Sequence, residues 1–210
     1  MPSRNDLHKY QQRMIDFIYT TPKCAVWAGL GLGKTITTLT AIVDLIDSMT
    51  VSKVLIVAPL RVANSVWHKE ASNWQHTKHL KFSIVTGSEK ERLSALHKTA
   101  DVYVINRENV SWIVEHYAKK WPFDMIVLDE ASSFKSASSQ RFKSLRKTIP
   151  FTNRLVELTG TPSPNGLLDI WSQMYLLDCG ERLGRSMTAY KQRFFETDYS
   201  GYKFKLVKSA

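Results

Sequence analysis

The hydrophobic positions of this chain fall mostly into short continuous runs rather than alternating ones. Residues 24–28, 54–58, 82–86, 102–105, 125–128 and 155–159 are rich in apolar and β-branched side chains. Strands buried on both faces of a parallel sheet read this way. Between the runs, apolar positions recur at helical spacing, as in Ile36, Leu39, Ile42, Val43 and Ile46. The spacing predicts helices over 34–48, 62–74, 89–97, 107–117 and 140–147. A strand-helix alternation of this kind predicts an α/β fold, mostly parallel in its sheet, with helices on both faces. Ligands on such sheets bind beyond the carboxyl ends of the strands.

The first run ends in Ala28-Gly29-Leu30-Gly31-Leu32-Gly33-Lys34-Thr35, and Ile36 continues into a helical pattern. A glycine-rich turn between a strand and a helix lets backbone N–H groups point at a polyphosphate. The lysine adds a cation for the outer phosphates, and the threonine hydroxyl suits Mg²⁺. The chain is therefore expected to bind a nucleoside triphosphate. A second element lies about a hundred residues on, where Met125-Ile126-Val127-Leu128 runs into Asp129-Glu130. At the end of a strand, one carboxylate can hold Mg²⁺ and the next can polarise an attacking water.

Charge narrows the partners. The chain has 210 residues and a formal net charge of +10. From Ser133 onward there are 13 Lys/Arg against 6 Asp/Glu. Such an excess favours a polyanion, most simply nucleic acid, with a solvated basic surface as the plain alternative. No apolar run approaches the roughly 20 residues of a membrane span, and the N-terminus lacks the apolar core of a signal peptide. The two cysteines, Cys24 and Cys179, make neither a disulfide framework nor a zinc site, so an intracellular setting is expected.

Together these elements resemble the superfamily-two helicases and translocases, and within them the remodeler-like (Snf-type) branch with its compact bacteriophage versions. The similarity covers nearly the whole chain in motif order. Leu7-His8-Lys9-Tyr10-Gln11 resembles the adenine-reading motif, which implies that Gln11 meets the adenine edge. Residues 28–35 match the family's phosphate loop, with Ala28 for the first glycine. The run 54–60 with Trp67, Glu70 and Trp74 resembles the next motif, whose turn touches the nucleic-acid backbone. Asp129-Glu130-Ala131-Ser132 resembles the Asp-Glu box, with Ser132 where His or Asp is common. Leu158-Thr159-Gly160-Thr161-Pro162 resembles the motif coupling nucleotide state to lobe movement.

The resemblance implies ATP and Mg²⁺ as cofactors and a RecA-like P-loop lobe. Lys34 and Thr35 would hold Mg·ATP, Asp129 the metal, and Glu130 the water; Thr159, Gly160 and Thr161 would couple. Arg61, Asn64, Thr86, Asn106, Arg107 and Lys135 are its candidates for backbone contacts to nucleic acid, double-stranded DNA above all. Residues 1–178 would form the lobe. The basic-aromatic segment 179–210 would lead to a second RecA-like lobe, whose arginines speed phosphoryl transfer by roughly 10³–10⁵. On its own the chain is expected to hydrolyse ATP weakly.

Some readings stay open. The polar stretch Ser132–Ser139 is either a mobile loop or a helix N-cap region. Trp67, Trp74 and Trp171 read as core packing rather than base-stacking platforms. Against the motor lobe stands a single-lobe DNA- or protein-binding module without motor activity. A small-molecule P-loop kinase leaves Thr159–Pro162 without a role.

Overall fold

Each continuous hydrophobic run becomes a strand of one sheet. The computed structural model describes residues 1–197 and 204–207. In chain order they form α1 (Lys9–Thr20), β1 (Lys23–Trp27), α2 (Lys34–Asp47), β2 (Val54–Ala58), α3 (Leu60–Ser65), α4 (Trp67–Asn73), β3 (Phe82–Val85) and α5 (Glu89–Leu96). β4 (Val102–Asn106), α6 (Val110–Tyr117), β5 (Met125–Asp129), α7 (Gln140–Arg146), β6 (Arg154–Thr159), α8 (Ile170–Asp178) and α9 (Met187–Phe194) follow. A hairpin of β7 (Phe195–Thr197) and β8 (Phe204–Leu206) closes the described chain.

The main sheet has six strands in the order β1-β6-β5-β2-β4-β3. Every pairing in it is parallel. Successive side chains alternate between the faces, so each strand feeds two cores. Val26, Ile56, Val104, Val127 and Val156 pack with Ile15, Ile18, Leu39, Ile42 and Trp67 on one side. Leu55, Ile105, Ile126, Leu128 and Leu155 pack with Ile113, Phe142, Leu145, Trp171 and Leu176 on the other. The expected α/β fold with helices on both faces is the one observed.

Two departures have local causes. The helix expected over 62–74 is two helices, because α3 starts after Pro59, whose carbonyl accepts from Ala63 N, and breaks at Val66. Ser65 Oγ donates to Arg61 O at 2.7 Å, a back-bond that bends helices. The helix expected from Arg107 begins as a single 3₁₀ turn, Arg107–Asn109. The helices α1, α8 and α9 were not anticipated as elements. α1 is held by Arg154, whose Nη2 donates to Ile18 O and Tyr19 O at 2.7 and 2.6 Å, capping its last turn.

Of the segment expected to lead away from the lobe, residues 198–203 and 208–210 lie outside the described residues. Before them α9 packs inward. Tyr190 is buried, its hydroxyl donates to Leu167 O, and Trp171 Nε1 donates to Gly184 O.

Glu157 sits in the middle of β6, opposite Ala25 of β1 and Leu128 of β5. It is wholly buried, and neither carboxyl oxygen has a hydrogen-bond partner. Burial pushes its pKa well above the ordinary 4.5, so the folded chain keeps it protonated. A raised folded-state value means full stability below pH 4.5, lost as pH rises toward the folded value. Glu157→Gln removes that dependence. Thermal melts at rising pH above 4.5 are expected to show the variant gaining on the parent until the folded-state value is passed.

Candidate nucleotide and nucleic-acid site

The phosphate loop leaves the sheet at Trp27 and re-enters order at Lys34, the first residue of α2. Its first step still belongs to the sheet, since Ala28 N donates to Thr159 O of β6 at 3.2 Å. Gly31 and Gly33 then adopt φ of +77° and +75°, a region that glycine enters without strain. Gly29, Leu30, Gly31 and Leu32 lie exposed, and Leu30 is 89% accessible. The free N–H groups and positive dipole end of α2 thus open on solvent, which makes an anion site. Lys34 Nζ donates to Ala28 O at 2.7 Å and Gly29 O at 3.0 Å, folding back on the loop that precedes it. Thr35 is half-buried beside it, and Ile36 is buried in the core.

Gln11, three residues into α1, lies against this loop. It is 7% exposed, its Oε1 accepts from His8 N at 2.9 Å, and its amide nitrogen faces Gly33 so closely that a Cβ there would collide with it. The amide is therefore fixed at the mouth of the loop.

Asp129 ends β5, the strand beside β6. Its Oδ2 accepts from the indole Nε1 of Trp67 at 3.0 Å. Burial raises its pKa above the ordinary carboxylate value. The Trp67 bond opposes this, Glu130 reinforces it, and the charge of Lys34 draws it back. Glu130 follows at φ +57°, ψ +59°, a left-handed conformation that is uncommon away from glycine and marks a constrained turn.

The Thr159–Thr161 turn closes the group. Thr159 is buried and its Oγ1 accepts from Thr161 N at 3.1 Å. Gly160 lies against the backbone of Ala28 and Gly29, and Gln173 Nε2 anchors Pro162 O at 2.7 Å. The nucleotide candidates thus gather at the carboxyl ends of β1, β6 and β5, three neighbours in the sheet.

The nucleic-acid candidates occupy the other half of the same edge only in part. Arg61 is exposed on α3, and Asn64 accepts from Thr86 Oγ1 at 2.8 Å, joining the ends of β2 and β3. Asn106 is buried and committed inward: Nδ2 donates to Glu108, and Oδ1 accepts from Asn109. Arg107 pairs with Glu108 at 3.1 Å, and Lys135 lies 3.6 Å from Asp169. The polar stretch after Ser132 is a 3₁₀ turn followed by a capped helix start, with Ser139 Oγ accepting from Phe142 N. Trp67 and Trp171 are core residues and Trp74 is half-buried. The contact of Trp67 with Asp129 had no signal in the residue pattern, because it joins positions 62 apart.

The SNF2-related domain family matches residues 10–200. The chain belongs to that family. A phage protein, putative protein p41 of Acyrthosiphon pisum secondary endosymbiont phage 1, is 41% identical over 194 residues, covering 89% of this chain and 42% of its own length. The mouse DNA excision repair protein ERCC-6-like is 30% identical, covering 87% of this chain and 15% of itself. Helicase SWR1 of Mycosarcoma maydis is 30% identical, over 83% and 10%. Among solved structures, the Sulfolobus solfataricus SWI2/SNF2 ATPase core in complex with dsDNA superposes at TM-score 0.74, with 24% identity over 90% of this chain and 39% of that one. The chain thus spans less than half the length of these relatives.

Gly33 offers a test of the loop geometry. Gly33→Ala meets both the left-handed φ and the Gln11 amide, whereas Gly166→Ala meets a φ of +115° with nothing within 4 Å. Both variants are expected to lose stability, Gly33→Ala roughly 1–2 kcal/mol and Gly166→Ala, at ψ 176°, roughly 1–3 kcal/mol. Only Gly33→Ala is expected to lose nucleotide affinity, by tenfold or more on the order of 1.4 kcal/mol, read by titration calorimetry.

Proposed function

We propose that this chain is the N-terminal ATP-binding lobe of an ATP-dependent DNA translocase or helicase. The observation that carries this reading is the meeting of the phosphate loop, the Asp129-Glu130 pair and the Thr159–Thr161 turn at three adjacent strand ends. In it, α2 and the loop amides take the phosphates, Lys34 exchanges its loop carbonyls for phosphate oxygens, and Gln11 stands at the mouth of the loop for the adenine edge.

Mg²⁺ fits the donors present. Among the described residues no group of three or more His, Cys, Asp or Glu could cage a metal. Mg²⁺ commonly takes one or two carboxylates together with substrate phosphates. The Thr35 hydroxyl and Asp129 would hold it, and bound there it neutralises charge developing on the phosphates. Glu130, turned out of the strand by its left-handed backbone, orients the water. Gly160 transmits changes at Ala28 and Gly29 to the Thr159–Pro162 turn.

Duplex DNA is supported by the net charge of +10, by the Arg61, Asn64 and Thr86 group, and by the dsDNA in the S. solfataricus complex. The remaining length of the relatives supports a second lobe that completes the cleft. Among the described residues no helix is long and apolar enough to cross a membrane.

Two measurements test this. ATP binding by the chain is expected, with slow turnover; Lys34→Ala is expected to abolish binding, and Glu130→Gln to keep it while removing residual turnover. Unchanged affinity in Lys34→Ala would sink the proposal. For DNA, Arg61→Ala is expected to lower the slope of log affinity against log salt by about 1, measured by fluorescence anisotropy on a duplex.

A further inference from the structure

Trp67 joins the two halves of the carboxyl edge. It opens α4 directly after α3, the helix that carries Arg61 and Asn64. Its ring is wholly buried among the core residues under β2 and β5, so its orientation is fixed by packing. An indole N–H is a donor only, and most buried ones are paired, although Trp121 Nε1 is not. Trp171 satisfies the same need with a backbone carbonyl, that of Gly184. Trp67 instead gives its proton to Oδ2 of Asp129 at 3.0 Å, a charge-assisted bond when the carboxylate is ionised. The bond fixes one oxygen of the carboxylate and with it the orientation of the side chain.

We propose that Trp67 is a positioning residue: its indole N–H fixes the orientation in which the Asp129 carboxylate would hold the metal, from the helix that directly follows the one carrying Arg61 and Asn64. This rests on the Mg·nucleotide reading of the site. Outer partners of metal ligands commonly govern tenfold or more of metal affinity. The bond also gives the α3–α4 segment a direct mechanical hold on the acid pair, since a shift of that segment moves the donor.

The test uses the chain with a fluorescent ADP analogue, titrated in EDTA and at a series of Mg²⁺ concentrations, with parent, Trp67→Phe and Lys34→Ala side by side. Trp67→Phe keeps an aromatic ring and removes the donor. It is expected to keep metal-free ADP affinity within about twofold of the parent, while the Mg²⁺ midpoint for metal-dependent binding rises about tenfold. An unchanged Mg²⁺ midpoint overturns the inference, as does an equal loss of affinity with and without metal, which would make Trp67 structural only. Those outcomes leave the site reading standing if Lys34→Ala still loses ADP. A parent that binds no ADP overturns the site reading and the inference together.

Should Trp67→Phe fail to fold, ¹⁵N-indole spectra of the parent give the answer. The resonance displaced by Asp129→Asn marks Trp67. It is expected to move when Mg²⁺ is added to the ADP-bound parent, and a stationary resonance overturns the inference.

Discussion

Parallel pairing is the constraint from which the rest of this molecule follows. A strand that pairs in parallel must return to its starting edge through a crossover, and a helix is the usual means. All six main strands do so, and all their carboxyl ends collect on one edge. Ala28, more than a hundred positions before Asp129 and Thr159, is brought to the same edge as both because β1, β6 and β5 are consecutive in the sheet. The same edge places the turns after β2 and β3 on the far side. The residues proposed for nucleotide and those proposed for nucleic acid are thus laid out along a single edge.

Burial alone does not decide what a carboxyl group in this sheet can do. Glu157 and Asp129 both have their pKa raised by desolvation. For Glu157 nothing opposes it, so it stays protonated and inert in the core. For Asp129 the Trp67 indole and the Lys34 charge pull the other way, and the strand end gives it access to solvent. One position of difference in depth separates the two acids, since Glu157 lies opposite Leu128 and Asp129 opposite Leu158.

The strands were legible to within about a residue at each end, because a strand covered on both faces needs a continuous apolar run. The phosphate loop was legible because its chemistry is local: glycines, a lysine and a threonine in one stretch. Long-range partnerships were not. Nothing in the sequence says that Asn106 would be consumed by Glu108 and Asn109, that Lys135 would find Asp169, or that Gln11 would be buried against Gly33. α1 carries an apolar face of Met14, Ile15 and Ile18 that was legible at helical spacing but was not anticipated, and its end is fixed by Arg154, more than 130 positions away. The break at Val66, where φ is −95° and ψ −58°, is a detail finer than the helical period can show.

Lys34 already spends its ammonium on two carbonyls of its own loop. Capture of an anion there is a trade of acceptors rather than the gain of new ones. On the proposed nucleotide reading, a ligand too short to reach the ammonium would leave both carbonyl bonds in place, so the loop would discriminate phosphate chains by their length as well as by their charge.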